Sequence, residues 1–366
     1  MQPNTSRTVR SLLLFTVAGL LLYAVATLAS DYRQIATALV NFPISDLSLV
    51  LAFVITGWLL RGWRFHYYLI QSHPEVRLGY SISVFLAGFA LTGTPGKVGE
   101  AVKGVFTKRD YGIPATRVVG IVVVERLMDL LAVLVLASFS LLMFSDWRGT
   151  FAVCAGIVAA GGVTLCLESV YRPLLEGLGR ISFLSKVSRW VLEVLLTGRD
   201  LMHARILVIG LVVSIVAWGL EAISMYVILQ GLKLPATLLQ ANFVYSFSTL
   251  IGALSMLPGG IGGTELGMVG LMGFMGIAYA HAIPAVILIR LSTLWFAVIV
   301  GIGFMTGMLL RPGQGTDGMA GDSTEGLLPG AFPYKTDRST SCEETACVLE
   351  SSLTYDRRNT PPATRP

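Results

Sequence analysis

The stretch PGKVG at residues 95–99 returns downstream as PGGIG at residues 258–262. Each copy interrupts a hydrophobic stretch, and each is followed by a glutamate, Glu100 in the first half and Glu265 in the second. Further along, Arg126 in the first half is matched by Arg290 in the second. Paired apolar segments that are broken by Gly and Pro at matching places are typical of transporters built from inverted repeats. The sequence therefore predicts a duplicated membrane unit.

The composition is that of a membrane protein. Of the 366 residues, 54% are hydrophobic and 13% are charged. Uncharged runs such as residues 11–30 are long enough to cross a hydrocarbon core of about 30 Å as helices. The formal net charge is +5, and the excess belongs to the membrane part and its loops. Such an excess attracts anionic lipid surfaces, but membrane topology alone also produces it.

No cofactor is expected from the sequence. The four cysteines and four histidines lack the spacing of metal ligands. No nucleotide-binding loop, nucleophile elbow or dinucleotide fingerprint is present, and no nucleic acid partner is expected. Transport by such a chain would be driven by gradients or by consumption of the substrate, or it would be passive, with no energy source.

Six apolar segments are predicted to cross the membrane: 12–29, 47–69, 118–144, 151–167, 206–229 and 283–310. The first is interpreted as an uncleaved helix rather than a signal peptide, because its apolar run exceeds a usual signal core. Two shorter Gly-rich pieces, 78–93 and 243–257, each end at a repeated motif. The fold class is therefore all-α, polytopic, with six to eight transmembrane helices.

The distribution of basic residues predicts the orientation of these segments. The first Gly/Pro piece has basic residues on both sides, with Arg61, Arg64 and Arg77 assigned to a cytoplasmic loop before it. A re-entrant hairpin explains this pattern, and three crossings between the motifs make the repeat inverted. Eight plain crossings with shorter spans remain the alternative. Both arrangements place the N- and C-termini in the cytoplasm of a bacterial inner membrane.

The predicted membrane domain covers residues 1–310, with repeat 1 at about 78–145 and repeat 2 at about 240–310. Between them, residues 170–205 are predicted to form amphipathic helices in the cytoplasmic interface, or else an ordinary connector packed on the membrane domain. Residues 311–366 are rich in Gly, Pro, Ser, Thr and acidic side chains, and are predicted to be a disordered tail.

Ionisable residues inside the predicted membrane unit are the candidate binding residues, because each costs at least about 2.5 kcal/mol at the centre of a helix. Guanidinium and ammonium groups would hold the phosphate of a lipid head group, and glycines at a helix break would expose backbone N–H groups to it. Simple pairing of these charges is the alternative, but it does not explain why an arginine recurs in both halves. The predicted substrate-binding residues are Lys97, Glu100, Glu125, Arg126, Asp129, Glu265 and Arg290. The predicted structural motif consists of Pro95, Gly96, Gly99, Pro258, Gly259, Gly260 and Gly262.

The segments LTGTPGKVGE (91–100), ERLMD (125–129) and LPGGIGGTE (257–265) together resemble the lysylphosphatidylglycerol synthase transmembrane family, the flippase-like UPF0104 proteins. The resemblance covers roughly residues 10–310. It implies a unit that moves lipid between leaflets in bifunctional aminoacyl-phosphatidylglycerol synthases, where a separate soluble domain transfers the amino acid. The chain is expected to lack that domain, and hence not to be an enzyme.

The predicted function is translocation or presentation of an anionic lipid or lipid-linked precursor between leaflets. The expected partners are membrane lipids and a lipid-biosynthetic enzyme. A rival hypothesis is a non-catalytic accessory subunit that recruits a lipid-modifying enzyme or glycosyltransferase. A third, an intramembrane enzyme with Glu125 and Asp129 as an acid/base pair, is less favoured because no nucleophile or metal motif accompanies them.

Overall fold

The computed structural model describes residues 32–92, 102–141, 156, 172–173, 176–177, 201, 203–255 and 258–311. Helices dominate these ranges, and no strand occurs in them. They are α1 (Tyr32–Val40), α2 (Ile44–Leu69), α3 (Leu78–Ala87), α4 (Val102–Tyr111), α5 (Ala115–Leu141), α6 (Ala204–Gly231), α7 (Leu238–Leu254), α8 (Gly263–Phe274), α9 (Tyr279–Arg290) and α10 (Phe296–Leu310). Short 3-10 turns are formed by Gly88–Leu91 and Pro258–Gly260, and a π-helical turn, Leu291–Trp295, joins α9 to α10.

Three helical stretches are long and apolar enough to cross a membrane: Ile44–Leu69, Ala204–Gly231 and Tyr279–Leu310. The stretches Leu78–Leu91 and Leu238–Leu254 are apolar but shorter. Helix α5 has 27 residues, yet it carries several charges in its first half. The predicted all-α membrane fold is confirmed, whereas the number of crossings and the re-entrant course of the two short pieces stay predictions.

The local sequence explains where α7 begins and which side of α6 is exposed. Helix α7 begins at a capping box, in which Thr237 Oγ1 accepts from Gln240 N and Gln240 Oε1 accepts from Thr237 N. On α6, Val208, Val212 and Val216 recur every fourth residue and are 60%, 53% and 47% exposed. Such an exposed apolar stripe is stable only against lipid. We therefore assign this face of α6 to the bilayer.

The long helices α2 and α6 form the most extensive helix pair and run antiparallel. Ser224 donates to the carbonyl of Val50, Gly57 packs closely on Ala217, and Tyr68 lies beside Gly210. Residue numbers therefore rise along α2 as they fall along α6. Both helices precede a short apolar helix and a Gly/Pro motif in the sequence. Helices α2 and α6 lie outside the two predicted repeats, and the inverted repeat itself stays a prediction.

Other contacts link the two halves reciprocally. The last helix of the first half, α5, packs on α7, where Asn242 Nδ2 donates to Leu136 O over 2.6 Å. The last helix of the second half, α10, packs on α3 and its 3-10 turn, where Gly301 touches Phe89 and Ala90. Gly301 permits this close approach because a Cβ there would lie 2.3 Å from the Ala90 nitrogen. Each half thus covers the short apolar helix of the other.

Several predictions fall outside the described residues. These are the first crossing at 12–29, the crossing at 151–167, most of the connector at 170–205, the tail beyond residue 311, and the first motif with Pro95, Gly96, Lys97, Gly99 and Glu100. One expectation is wrong. Arg61 and Arg64 are not loop charges, since both are buried within α2. They lie on the stripe of α2 that faces α6, so helix packing rather than topology accounts for their position.

Candidate functional site

A group of buried charges joins α2, α4 and α5, and we call it the Arg64 cluster (Arg64, Lys103, Glu125, Arg126 and Asp129). Arg64 Nη1 donates to Asp129 Oδ1 over 2.7 Å, and Lys103 Nζ donates to Glu125 Oε2 over 3.2 Å. Arg64 Nη2 also lies 3.7 Å from Glu125 Oε1. The residues Arg64 and Glu125 have no exposed surface, and Lys103 has 1%. Burial of so many charges is unfavourable unless they are paired, and here each contacts an opposite charge.

The Arg64 cluster contains three cations and two carboxylates. Arg126 Nη2 lies 3.1 Å from Asp129 Oδ2, three residues further along α5. The side chain of Arg126 is 32% exposed, compared with 5% or less for the other four. Arg126 is therefore the outermost of the described members of the cluster.

A second buried pair lies next to the Arg64 cluster and connects α2 with α6 and α7. Arg61 Nη1 donates to Glu221 Oε1 over 2.7 Å, and the hydroxyl of Tyr245 donates to the other oxygen of Glu221. The guanidinium of Arg61 lies 4.3 Å from the ring centre of Trp218, a cation–π distance. Arg61 lies three residues before Arg64 on the same buried face of α2, and Arg64 donates to Ser214 of α6. The two groups of charges therefore form one polar region where α2, α5 and α6 meet.

Another ion pair, Arg290–Glu265, holds the second Gly/Pro motif in place. Arg290 Nε donates to Glu265 Oε1 over 2.6 Å, and Arg290 Nη2 donates to the carbonyl of Gly259 over 2.9 Å. The other oxygen of Glu265 accepts from Gly262 N over 2.7 Å. The carboxylate of Glu265 therefore takes up a backbone N–H at the start of α8 and holds Arg290 at the same time.

The glycines of this motif are required by its backbone. Gly259, Gly260 and Gly262 have φ angles of 61°, 68° and 89°, a region that residues with a Cβ rarely adopt. At Gly260 a Cβ would also lie 2.7 Å from Thr264 Oγ1. Pro258 opens the turn that contains these glycines. The loop is thus a fixed bend between α7 and α8.

The structure brings the predicted residues together in two groups. Glu125, Arg126 and Asp129 belong to the Arg64 cluster, while Glu265 and Arg290 hold the second motif. Tyr245 belongs to the neighbouring Arg61–Glu221 pair, since its hydroxyl donates to Glu221. Lys97 and Glu100 lie outside the described residues. In the described ranges, no group of His, Cys, Asp and Glu could hold a metal ion.

Comparison with known proteins identifies the family. A family model described as the lysylphosphatidylglycerol synthase TM region matches residues 12–301. The chain belongs to this family. Together with the long apolar helices, this membership makes the protein an integral membrane protein. The resemblance seen in the three sequence motifs is thereby confirmed.

Family members in archaea show similarity to parts of this chain. A UPF0104 membrane protein of Pyrococcus horikoshii is 25% identical over 63% of this chain and 76% of its own length. One from Methanocaldococcus jannaschii is also 25% identical, over 57% of this chain and 88% of its own length. One from Methanothermobacter thermautotrophicus is 29% identical over 28% of this chain, and that match spans 30% of the archaeal protein.

The sequence did not predict that Arg64 and Lys103 belong to the candidate site of this protein. In the sequence, Arg64 is one of the predicted loop charges before the first Gly/Pro piece, and Lys103 is one of the basic residues that follow it. A signal was present for Arg64, because Val50, Val54, Gly57, Arg61, Arg64 and Tyr68 follow one another at intervals of three or four. All six are buried, as expected of a single face of a helix. No comparable pattern marks Lys103 on the short helix α4.

Proposed function

We propose that the protein moves or presents an anionic lipid, or a lipid-linked precursor, between the leaflets of a bilayer. The observation that supports this most strongly is the gathering of five charged side chains in the Arg64 cluster, four of them almost fully buried among membrane helices. Intramembrane charges of this kind usually mark substrate or ion pathways. Arg64 of the cluster also donates to Ser214 of α6, so the cluster touches both halves of the chain, and transporters with inverted repeats bind their substrates where the repeats meet.

In this proposal the charged residues have different roles. Arg126 makes the first contact with the head group, because it is the most exposed cation of the cluster. Glu125 and Asp129 hold the neighbouring cations in place. Arg290 and Glu265 fix the second Gly/Pro loop, and by the sequence repeat Lys97 and Glu100 serve the first. The acyl chains stay in the surrounding lipid while the head group follows the polar region.

The finer points of location belong to the same proposal. We infer a bacterial inner membrane with both termini in the cytoplasm, since the basic residues of the connector and of the flanks of α3 then face the cytoplasm. We also infer that this membrane unit transports rather than catalyses, because each buried carboxylate in the described part of the chain, Glu125, Asp129 and Glu221, is engaged with a cation.

The experiment is a translocation assay with purified protein in proteoliposomes. Lipids labelled on the head group are placed in one leaflet, and their arrival in the other is measured for an anionic and a zwitterionic lipid. The expected result is faster movement of the anionic lipid, with loss of movement in Arg126→Ala and in Arg290→Ala. If both variants fold and still move the anionic lipid at the wild-type rate, the assignment of Arg126 and Arg290 to the site is contradicted. A protein that moves no lipid but retains a lipid-modifying enzyme would instead fit the accessory subunit.

A further inference from the structure

A groove runs along the surface of α10, beside α3, and we call it the α10 groove. Its volume is about 380 Å³, which lies within the range of clefts that bind small ligands. Ser83 contributes to it from α3, and Arg311 lies at one end, directly after α10. The rest of the lining comes from α10 and is apolar: Val300, Gly303, Phe304, Gly307 and Met308.

Two glycines one turn apart keep the groove open. In the part of the chain that the structure describes, no atom lies within 4 Å of the position that a Cβ would take on Gly303 or Gly307. Gly301 is different, because it packs closely on Ala90. Gly303 and Gly307 are therefore not needed for a contact between the described helices, and glycine is a poor helix former. What these two glycines provide is an open face on a membrane helix.

The end of the groove at Arg311 carries an uncompensated positive charge. Arg109 also lies at this end of α10, since it donates to the carbonyl of Met308 over 3.0 Å. Arg109 forms an ion pair of 2.6 Å with Asp110. Arg311 is exposed and has no ion pair with any residue that the structure describes. Arg311 is therefore available to a negatively charged ligand.

The position of the groove indicates what fills it. Helix α10 belongs to a stretch that is long and apolar enough to cross a membrane, and this stretch ends at Leu310. An open face of such a helix meets hydrocarbon chains rather than water. These chains are as apolar as the lining, so the lining itself selects no lipid. Arg311 follows Leu310 directly and lies at the level of the head groups, where a basic residue attracts anionic lipids.

We propose that the α10 groove binds one anionic phospholipid, with an acyl chain along Gly303 and Gly307 and its phosphate on Arg311. A guanidinium binds phosphate oxygens by charge-assisted hydrogen bonds. The groove is separate from the Arg64 cluster, since it shares no residue with it. The inference goes beyond the proposed function, because it concerns a lipid held at the surface of the protein and requires no transport.

Charge favours a phospholipid over two other occupants of the groove. In the predicted orientation, the apolar segment 12–29 would bring Arg7 and Arg10 to the same side of the membrane as Arg311. A second copy of the chain in the same orientation would bring a second Arg311. Both arrangements place like charges together, whereas an anionic head group neutralises the arginine.

The test fills the groove and, separately, removes its charge. Gly303→Leu and Gly307→Leu each place a side chain in open space, so both variants are expected to fold. Gly270→Leu on α8 is the matched control, because Gly270 is also exposed and has no atom near its potential Cβ. Arg311→Gln removes the charge. Its control is Arg205→Gln, at an exposed arginine in the first turn of α6.

Native mass spectrometry of the full chain in micelles measures the binding of phosphatidylglycerol and of phosphatidylcholine with the same acyl chains. Wild-type protein is expected to bind phosphatidylglycerol about fivefold more tightly, the effect of one basic residue near the head groups. Both groove-filling variants and Arg311→Gln should lose this preference, while both controls should keep it. No preference in wild-type protein, or an unchanged preference in the groove-filling variants, would overturn the site.

The same spectra distinguish the other occupants, because they also report the oligomeric state. A change from dimer to monomer in Gly307→Leu, with an unchanged lipid preference, would assign the groove to a second copy and overturn the proposal. If a groove-filling variant does not fold, Arg311→Gln tests the same site, since its side chain is exposed. Binding is measured at equilibrium, so this result is independent of whether the translocation assay detects any movement of lipid.

Discussion

Arg64 on α2 and Asp129 on α5 form an ion pair of 2.7 Å, with side chains that are 0% and 5% exposed. The pair connects helices that are far apart in the sequence and draws Lys103, Glu125 and Arg126 into one cluster. Because the cluster contains more cations than carboxylates, its members are not equivalent. Removal of a carboxylate and removal of Arg64 are expected to have different consequences.

Asp129→Asn is expected to destabilise the protein by about 3–5 kcal/mol, because it leaves buried cations without compensation. Arg64→Met is expected to cost less, since Lys103–Glu125 and Arg126–Asp129 remain as two balanced pairs. Unfolding of the purified variants by titration with a denaturing detergent measures both effects. A greater loss of stability in Arg64→Met than in Asp129→Asn would contradict this pairing of the charges.

Arg290 and Glu265 are expected to act as a unit. The guanidinium reaches both the carboxylate and the Gly259 carbonyl, while the carboxylate also caps Gly262 N. In a double-mutant cycle with Arg290→Gln and Glu265→Gln, we expect a coupling free energy of about 0.5–3 kcal/mol. Additive effects of the two substitutions on unfolding would mean that the ion pair does not hold the loop.

Gly262→Ala is expected to destabilise the second Gly/Pro loop by about 1–3 kcal/mol, because alanine is strained at its φ of 89°. Gly276 provides a matched control, since its φ is 83° and no atom lies near its potential Cβ. Both alanine variants should lose stability, but only Gly262→Ala should also slow lipid movement at a temperature where both are folded. Equal rates of lipid movement in Gly262→Ala and Gly276→Ala would show that the second Gly/Pro loop has no specific role in transport.

Tyr245→Phe is expected to cost about 1–3 kcal/mol, because it removes a donor to a buried carboxylate oxygen of Glu221. Tyr226→Phe on α6 is the comparison, since Tyr226 is only half-buried. The midpoint of thermal unfolding of each purified variant reports the difference. A midpoint of Tyr245→Phe that equals that of Tyr226→Phe would exclude a structural role for this hydrogen bond.

The sequence predicted the helices of the membrane domain better than the partners of its charges. The predicted crossings at 47–69 and 206–229 correspond to α2 and α6, because lipid requires long apolar runs to form helices. The pairs Arg61–Glu221 and Arg64–Asp129 join residues 160 and 65 positions apart. Such pairs depend on how helices pack, and periodicity within one helix does not determine this. The helical spacing of Arg64 with Arg61 would have placed it on the buried face, but not beside Asp129.

A head group that follows the polar region requires that water reaches the buried charges along it. Ser214 accepts a hydrogen bond from Arg64 inside the polar region, whereas Val212, two residues earlier on α6, is 53% exposed on the lipid-facing stripe. In protein whose four native cysteines have been replaced, Ser214→Cys and Val212→Cys are each treated in membranes with a small, charged thiol reagent. We predict that Ser214→Cys reacts and that Val212→Cys does not. Reaction of Val212→Cys with no reaction of Ser214→Cys would contradict this prediction.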